Sequence, residues 1–371
     1  MQGSRGMSSP GAPFMPPFCP RSACRFHRSP DGWRWIRHGA FTRRAAPHRI
    51  PRFRCAHCGH TFSTQTFAPD YWLKRPDVLA AAAHRLLACS GYRQIAREAR
   101  CAPTTVMRHS ARLGRHALLY LWAHRPRGPL QEPVVGDGFE SFAHSQYSPC
   151  HLNLVVGAVS HYGYAFTHSE LRRKGRMTAG QKRKRAALEQ RHGRPDPRAI
   201  EHGMALALAL AVPEPQPVCF RSDEHDAYPR ALKRLPRHHF RHERTSSLAA
   251  RTAANPLFPV NRLDLLLRHN SAHHKRETIA FAKRHQAVVE RAAWLLVWQN
   301  FAKPFSERRG LGTPAMRLGL KDRPVPLREI LRWRLFPERV ALPPEWARYY
   351  RGEVVTRYLR NERRHRLKLA A

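Results

Sequence analysis

The chain has 371 residues, with 66 Lys and Arg against 26 Asp and Glu, a formal charge of +40 before any of its 24 His takes a proton. An excess of that size excludes an ordinary small-molecule enzyme and calls for a polyanionic partner, of which nucleic acid is the commonest. With 42% hydrophobic and 9% aromatic residues the chain can fill one or two cores, so wholesale disorder is excluded and the charge must sit on folded domains.

Residues 1–17 hold Pro, Gly and Ser without an apolar run, which predicts a disordered leader and not a secretory signal. The longest apolar stretch, Met204 to Val212, is too short for a bilayer span of about 20 residues, so no membrane segment is expected. Four of the eight cysteines crowd between Cys19 and Cys58, which fits a metal site in a reducing compartment better than a disulfide framework. The expected location is the cytoplasm.

Residues 18–66 read as a zinc-ribbon-like module. Cys19 and Cys24 are spaced C-x4-C, and Cys55 and Cys58 are spaced C-x2-C ahead of Gly59, which can take the positive φ of a metal knuckle. Four thiolates on two turns suit one structural Zn²⁺, although the gap between the pairs is long for a ribbon, and His27, His57 or His60 can stand in for a thiolate. Trp33, Trp35, Ile36, Phe41, Ile50 and Phe53 alternate as short strands would.

Residues 74–124 change period. Val78, Leu79, Ala82, Leu86 and Leu87 share a helical face, Tyr92 to Ala99 makes a second short helix, and a third starts near Pro103 and runs towards Leu113. That is the layout of a helix-turn-helix, with Ile95, Ala96, Cys101 and Val106 inward. Thr104, Thr105, Arg108, His109 and Arg112 are then expected to face outward, towards phosphates and base edges of double-stranded DNA.

Residues 130–305 form an α/β unit. Strands are expected at Pro133 to Phe142, His151 to Ser160 and Tyr162 to Thr167, followed by a basic excursion at Leu171 to Arg194 with ten Lys and Arg and one acid. A helix at Ala199 to Ala211 and a fourth strand at Val218 to Arg221 come next. Acids are scarce here, yet Asp137 lies in the first strand, Asp223 follows the fourth, and Glu277, within His273 to Thr278, lies early in an expected amphipathic helix reaching about Phe301. Carboxylates gathered in this way repel one another, and hard divalent cations such as Mg²⁺ relieve the repulsion. Two ions can activate a nucleophilic oxygen and stabilise the leaving oxygen of a phosphodiester. From residue 306 onward Pro, Arg and aromatics dominate, and residues 306–371 read as a basic C-terminal extension.

Asp137 within Gly136-Asp137-Gly138-Phe139-Glu140, Asp223 with Tyr228 five residues on, and Glu277 ahead of Lys283 and Arg284 resemble the DDE transposases of bacterial insertion sequences. The segments Arg172-Arg173-Lys174-Gly175-Arg176-Met177 and Glu277-Thr278-Ile279-Ala280-Phe281 are similar to a subgroup with an N-terminal zinc ribbon and helix-turn-helix. The resemblance runs from about Cys19 to Lys303 and implies a ribonuclease-H-like mixed sheet with flanking helices. It also implies a bacterial, oligomeric enzyme that uses two Mg²⁺ or Mn²⁺ ions to cleave element ends and join the 3′-hydroxyl to target DNA. Asp137, Asp223 and Glu277 would be the ion ligands, Asp223 ahead of Glu224 and Asp226 because it directly follows the strand. Arg172, Arg173, Lys174, Lys275, Arg276, Lys283 and Arg284 would face DNA. Two other readings use the same features: a recombination or repair nuclease without strand transfer, and a DNA-binding regulator with an inactive central domain.

Overall fold

The computed structural model describes residues 14–306 and 310–359. At its N-terminal end β1 (Trp35–Thr42), β2 (Arg49–Cys55) and β3 (Thr61–Ser63) form an antiparallel sheet in that order. Ile50, Phe53 and Cys55 are the buried positions of β2, and Phe53, Phe62 and Phe67 build a small aromatic core. Phe14, in the stretch expected to be a disordered leader, packs its ring 5.8 Å from Phe53 and 5.9 Å from Phe67. Residues 1–13 of that leader lie outside the described residues.

The three expected helices follow as α1 (Asp77–Arg85), α2 (Tyr92–Glu98) and α3 (Pro103–Ala123). The last runs ten residues past Leu113, because Ala117, Leu118 and Leu121 continue its buried face. At 21 residues it spans roughly 30 Å. A Cβ on Gly114 would come within 2.5 Å of Glu290, so the missing side chain lets α3 lie close against α8 (His285–Val297). Val106, Leu113 and Ala117 belong to one hydrophobic core with Leu152, Leu154 and Trp294, which joins the short helices to the central sheet.

That sheet has five strands, β4 (Val134–Phe142), β5 (Pro149–Gly157), β6 (Gly163–Glu170), β7 (Pro217–Ser222) and β8 (His239–Arg244), in the order β6-β5-β4-β7-β8. The first three make an antiparallel meander, while β7 is parallel to β4 and β8 to β7, so the sheet is mixed. The chain passes from β6 to β7 through α4 (Ala179–His192) and α5 (Ala199–Ala211), and from β7 to β8 through α6 (Ala227–Lys233). One face is covered by α5, whose Met204, Ala207 and Leu208 pack with Val134, Val155 and Phe220. The other carries α7 (Phe258–Asn270) and α8, with Val260, Leu263 and Val289 in the larger core.

Two expectations need correction. The strand β8 was not foreseen, because His239-Phe240-Arg241-His242-Glu243-Arg244 lies at a sheet edge and offers one apolar side chain in six. The helix expected from about residue 273 begins only at His285; after a 3-10 turn at Ala272–His274 the chain is irregular to Arg284. Beyond residue 310, α9 (Pro314–Arg317), α10 (Leu327–Ile330), α11 (Pro337–Val340) and α12 (Pro344–Tyr350) run back over the molecule. Phe336 enters the aromatic core of the N-terminal module, and Ile330, Trp346 and Tyr349 enter the large core. Residues 360–371 of the basic C-terminal extension lie outside the described residues.

Candidate active site and zinc centre

The parallel register pairs Val135 with Arg221, so two residues further on Asp137 stands level with Asp223, just past the end of β7. Asp137 shares a sheet face with Val135 and Phe139, the face that α7 covers. There the structure supplies an acid that sequence reasoning missed: Asp264 on α7, one turn beyond Val260. Gly138 N–H donates to Asp137 Oδ1 at 2.6 Å and the Tyr228 hydroxyl donates to the same oxygen at 3.1 Å. Asp223 Oδ1 accepts from the His225 N–H at 2.9 Å.

The electrostatics bind these acids into one group. Burial raises the Asp137 carboxyl above the ordinary range and the charge of Asp223 adds to it, against the Gly138 N–H bond. Asp264 is held well above the ordinary carboxylate range, first by burial and then by the charge of Asp137, with Arg268 and Arg251 pulling the other way. The Tyr228 phenol is pushed up by burial and by Asp137, Asp223 and Asp264 together. Asp264 Oδ1 is buried and has no hydrogen-bond partner. A buried carboxylate oxygen without a donor is costly unless a cation meets it, so the donor set fits hard divalent ions. The three carboxylates do not all lie within 4.8 Å of one another. Two ions about 4 Å apart, each with oxygen ligands at about 2.1 Å, need a wider set of that kind.

Close approach around Asp137 depends on its two glycines. A Cβ on Gly138 would sit 1.5 Å from His151 Nε2, and one on Gly136 would sit 2.5 Å from the Phe220 ring.

Glu277 is not brought into this group. It is exposed, in the irregular stretch before α8. Its neighbour Arg276 pairs with Glu140 at 3.1 Å, three residues and about 10 Å beyond Asp137 along β4 and on the opposite side of the strand. The basic residues of this stretch are differently engaged: Lys275 is half-buried, Lys283 Nζ donates to Ile279 O, and Arg284 precedes α8.

The residues expected at the DNA face of α3 divide. Thr104 and Arg108 are exposed and Thr105 is half-buried. His109 and Arg112 face inward, contrary to expectation, because α3 continues as a core helix and buries the side that they occupy. Arg112 Nη1 donates to Pro69 O at 2.9 Å, and burial, with Arg112 beside it, lowers the His109 imidazole to about 4. A groove of about 620 Å³ opens where α2 turns into α3, lined in part by Arg93, Arg97 and Arg100. In the basic excursion Arg172 makes a bidentate pair with Glu189, Arg173 stacks over the Tyr147 ring, and Lys174 is exposed. The helix α4 buries none of its residues.

In the N-terminal module the Sγ atoms of Cys19, Cys24, Cys55 and Cys58 lie within 4.8 Å of one another, and Cys19 and Cys58 are 3.7 Å apart. A tetrahedron with Zn–S bonds of about 2.3 Å has edges of about 3.8 Å, so the four-cysteine cluster suits zinc. Gly59, at φ +68°, sends its N–H to Cys55 O and closes the knuckle. Burial raises the Cys19 thiol and acts upward on Cys55 too. At Cys55 it is outweighed by N–H donors from Cys58, the Trp33 indole and His57, which bring that thiol to about 7. His27 instead puts Nδ1 2.9 Å from Cys19 O, and His57 rests edge-on against Phe26, so neither replaces a thiol.

No helix among the described residues is long and apolar enough to cross a membrane. No family model matches the chain, and no curated protein matches it either. Among solved structures it is similar to a chain of a simian T-cell lymphotropic virus intasome in complex with the PP2A regulatory subunit B56 gamma. That likeness has 14% identity over 66% of this chain and 74% of the other, with a TM-score of 0.27, too loose a superposition to carry an argument.

Proposed function

We propose that the protein is a metal-dependent DNA-cleaving and DNA-joining enzyme of the transposase kind, with Asp137, Asp223 and Asp264 as its carboxylates. The observation that carries the reading is the unpartnered, buried Asp264 Oδ1 in the field of Asp137, which lies within β4 level with Asp223 just past the end of the parallel strand β7. The strand order, with an antiparallel meander followed by two parallel strands, supports a ribonuclease-H-like reading of the sheet. Divalent ions held by the three acids would lower the pKa of an attacking water or 3′-hydroxyl and stabilise the departing 3′ oxygen. The chain's own part is to hold the carboxylates in register: Gly138 N–H and Tyr228 orient Asp137, and the helix α7 fixes Asp264. In cleavage the water oxygen bonds to phosphorus as the bond to the 3′ oxygen breaks. In joining, a 3′-hydroxyl oxygen loses its proton to solvent and bonds to a target phosphorus as the bond from that phosphorus to the target's own 3′ oxygen breaks.

The N-terminal module and the exposed residues of α2 and α3 would dock duplex DNA, with Thr104, Thr105 and Arg108 as contacts and with Arg93, Arg97 and Arg100 near them. Lys174 and the exposed face of α4 would follow the phosphate backbone. The test uses DNA segments flanking the gene and Mg²⁺. Asp137→Asn, Asp223→Asn and Asp264→Asn are each expected to abolish cleavage while DNA binding persists, and Glu277→Gln is expected to retain most activity. Cleavage that survives all three replacements, in a preparation active as wild type, would falsify the assignment.

A further inference from the structure

A second cluster of soft ligands lies inside the central unit, away from the acids. Cys150 Sγ and one ring nitrogen each of His168 and His285 lie within 4.8 Å of one another. The three come from separate elements: Cys150 from β5, His168 from β6, and His285 from the first position of α8. Register explains the meeting of the first two. Cys150 pairs with Glu170 and Leu152 with His168, so Cys150, His168 and Glu170 share the sheet face on which α8 packs.

Cys150 and His285 are fully buried. His285 Nε2 lies 3.1 Å from Ser148 O, a carbonyl that can only accept, so the proton sits on Nε2 and Nδ1 carries the lone pair. His168 is fixed through its backbone, whose N–H donates to the Tyr349 hydroxyl at 2.7 Å, while its own Nε2 is buried without a partner. The two imidazole centroids are 4.7 Å apart. Glu170 stands outside the 4.8 Å group, with Oε2 held by Arg357 at 2.9 Å and Oε1 buried without a partner. One sulfur, two imidazole nitrogens and one carboxylate oxygen on rigid elements are a donor set of the kind that Zn²⁺ takes.

We propose that Cys150, His168 and His285 bind a second zinc ion, with Glu170 Oε1 completing the tetrahedron. This inference is independent of the catalytic reading. On β5 Cys150 lies four residues from Leu154, the register partner of Asp137, so the two centres are about 13 Å apart along the strands. The ion would tie the β5-β6 edge to the start of α8, whose first N–H donates to Thr356 Oγ1. Its role there is structural.

The experiment is zinc analysis of the untagged full-length protein. Wild type is expected to carry about two zinc ions per chain, and Cys150→Ala and His168→Gln about one each. Equal zinc content in wild type and in both soluble variants overturns the proposal. Should both variants be insoluble, cobalt-substituted wild type decides. A second cobalt with nitrogen-rich tetrahedral absorption, beside the four-thiolate spectrum, supports the site, and a single four-thiolate spectrum overturns it.

Discussion

Tyr228 connects the geometry of the acid group to its charge, because one hydroxyl donates to Asp137 within the field of all three acids. Tyr228→Phe keeps the buried ring and removes that donor. DNA binding is expected to stay, and cleavage to fall by about 10- to 100-fold, as for other groups that orient metal-binding carboxylates. Single-turnover cleavage on saturating DNA measures it, and an unchanged rate would show that the Gly138 N–H alone orients Asp137. Asp137, inside the apolar strand β4, and Asp223, just past the end of β7, stand out in the sequence as acids in apolar surroundings, and both enter the proposed site. Asp264 does not stand out, since it looks like one polar residue in the leucine-rich run Leu263 to Leu267. The signal was there in its spacing: an acid four residues after buried Val260 lies on the buried side of a helix, a place acids avoid without a partner. Glu277 falls in irregular chain ahead of α8, because a motif read along the sequence does not reveal where the helix begins.

The helix α3 does two jobs in succession. Its first two turns carry the exposed Thr104 and Arg108, and from His109 onward it is a core helix. Two arginines four residues apart should therefore respond in opposite ways. Arg108→Ala is expected to leave thermal stability unchanged, to weaken DNA binding and to reduce by about one the slope of log affinity against log salt. Arg112→Ala is expected to lower the melting temperature by several degrees through loss of its bond to Pro69 O, with only a secondary effect on binding. A salt titration beside a melting curve separates them, and matched behaviour of the pair would overturn the division of α3. Amphipathic spacing gave the three short helices their correct starts. It could not show which side stays exposed, since that is decided by what α3 meets later, namely α8 across Gly114.

The fold buries several histidines in neutral form among its apolar groups, which ties its stability to pH. Burial lowers His116 and His161 to about 4 and His274 to about 3, each below the ordinary 6.5. In the unfolded chain these groups take protons near pH 6.5, in the folded chain only near 3 to 4, so stability is full above about 6.5 and falls as the pH drops towards 4. Melting temperature against pH should show a loss over that window, and a flat profile from pH 7 to 4.5 would contradict the burial of these imidazoles. Zinc held by the four cysteines would act at the same scale, because Phe336 from the C-terminal segment sits in the core beside Cys19 and Cys55. Chelation is expected to release the ion from the four cysteines and expose the Phe67–Ala68 region and the Arg334 segment to protease together, since Arg334 N–H bonds Phe67 O. Cleavage of one without the other would separate the two. The return of residues 333–339 to the N-terminal module also sets a timetable for synthesis. Phe18 meets Phe336 ring to edge at 5.1 Å, yet the ribosome makes them 318 residues apart. At about 5 to 20 residues per second the aromatic pocket beside the cysteines waits roughly a quarter of a minute to a minute for its last wall. Through that interval the nascent chain displays an unfinished apolar surface, which makes early zinc capture and chaperone cover the conditions for a good yield of folded protein.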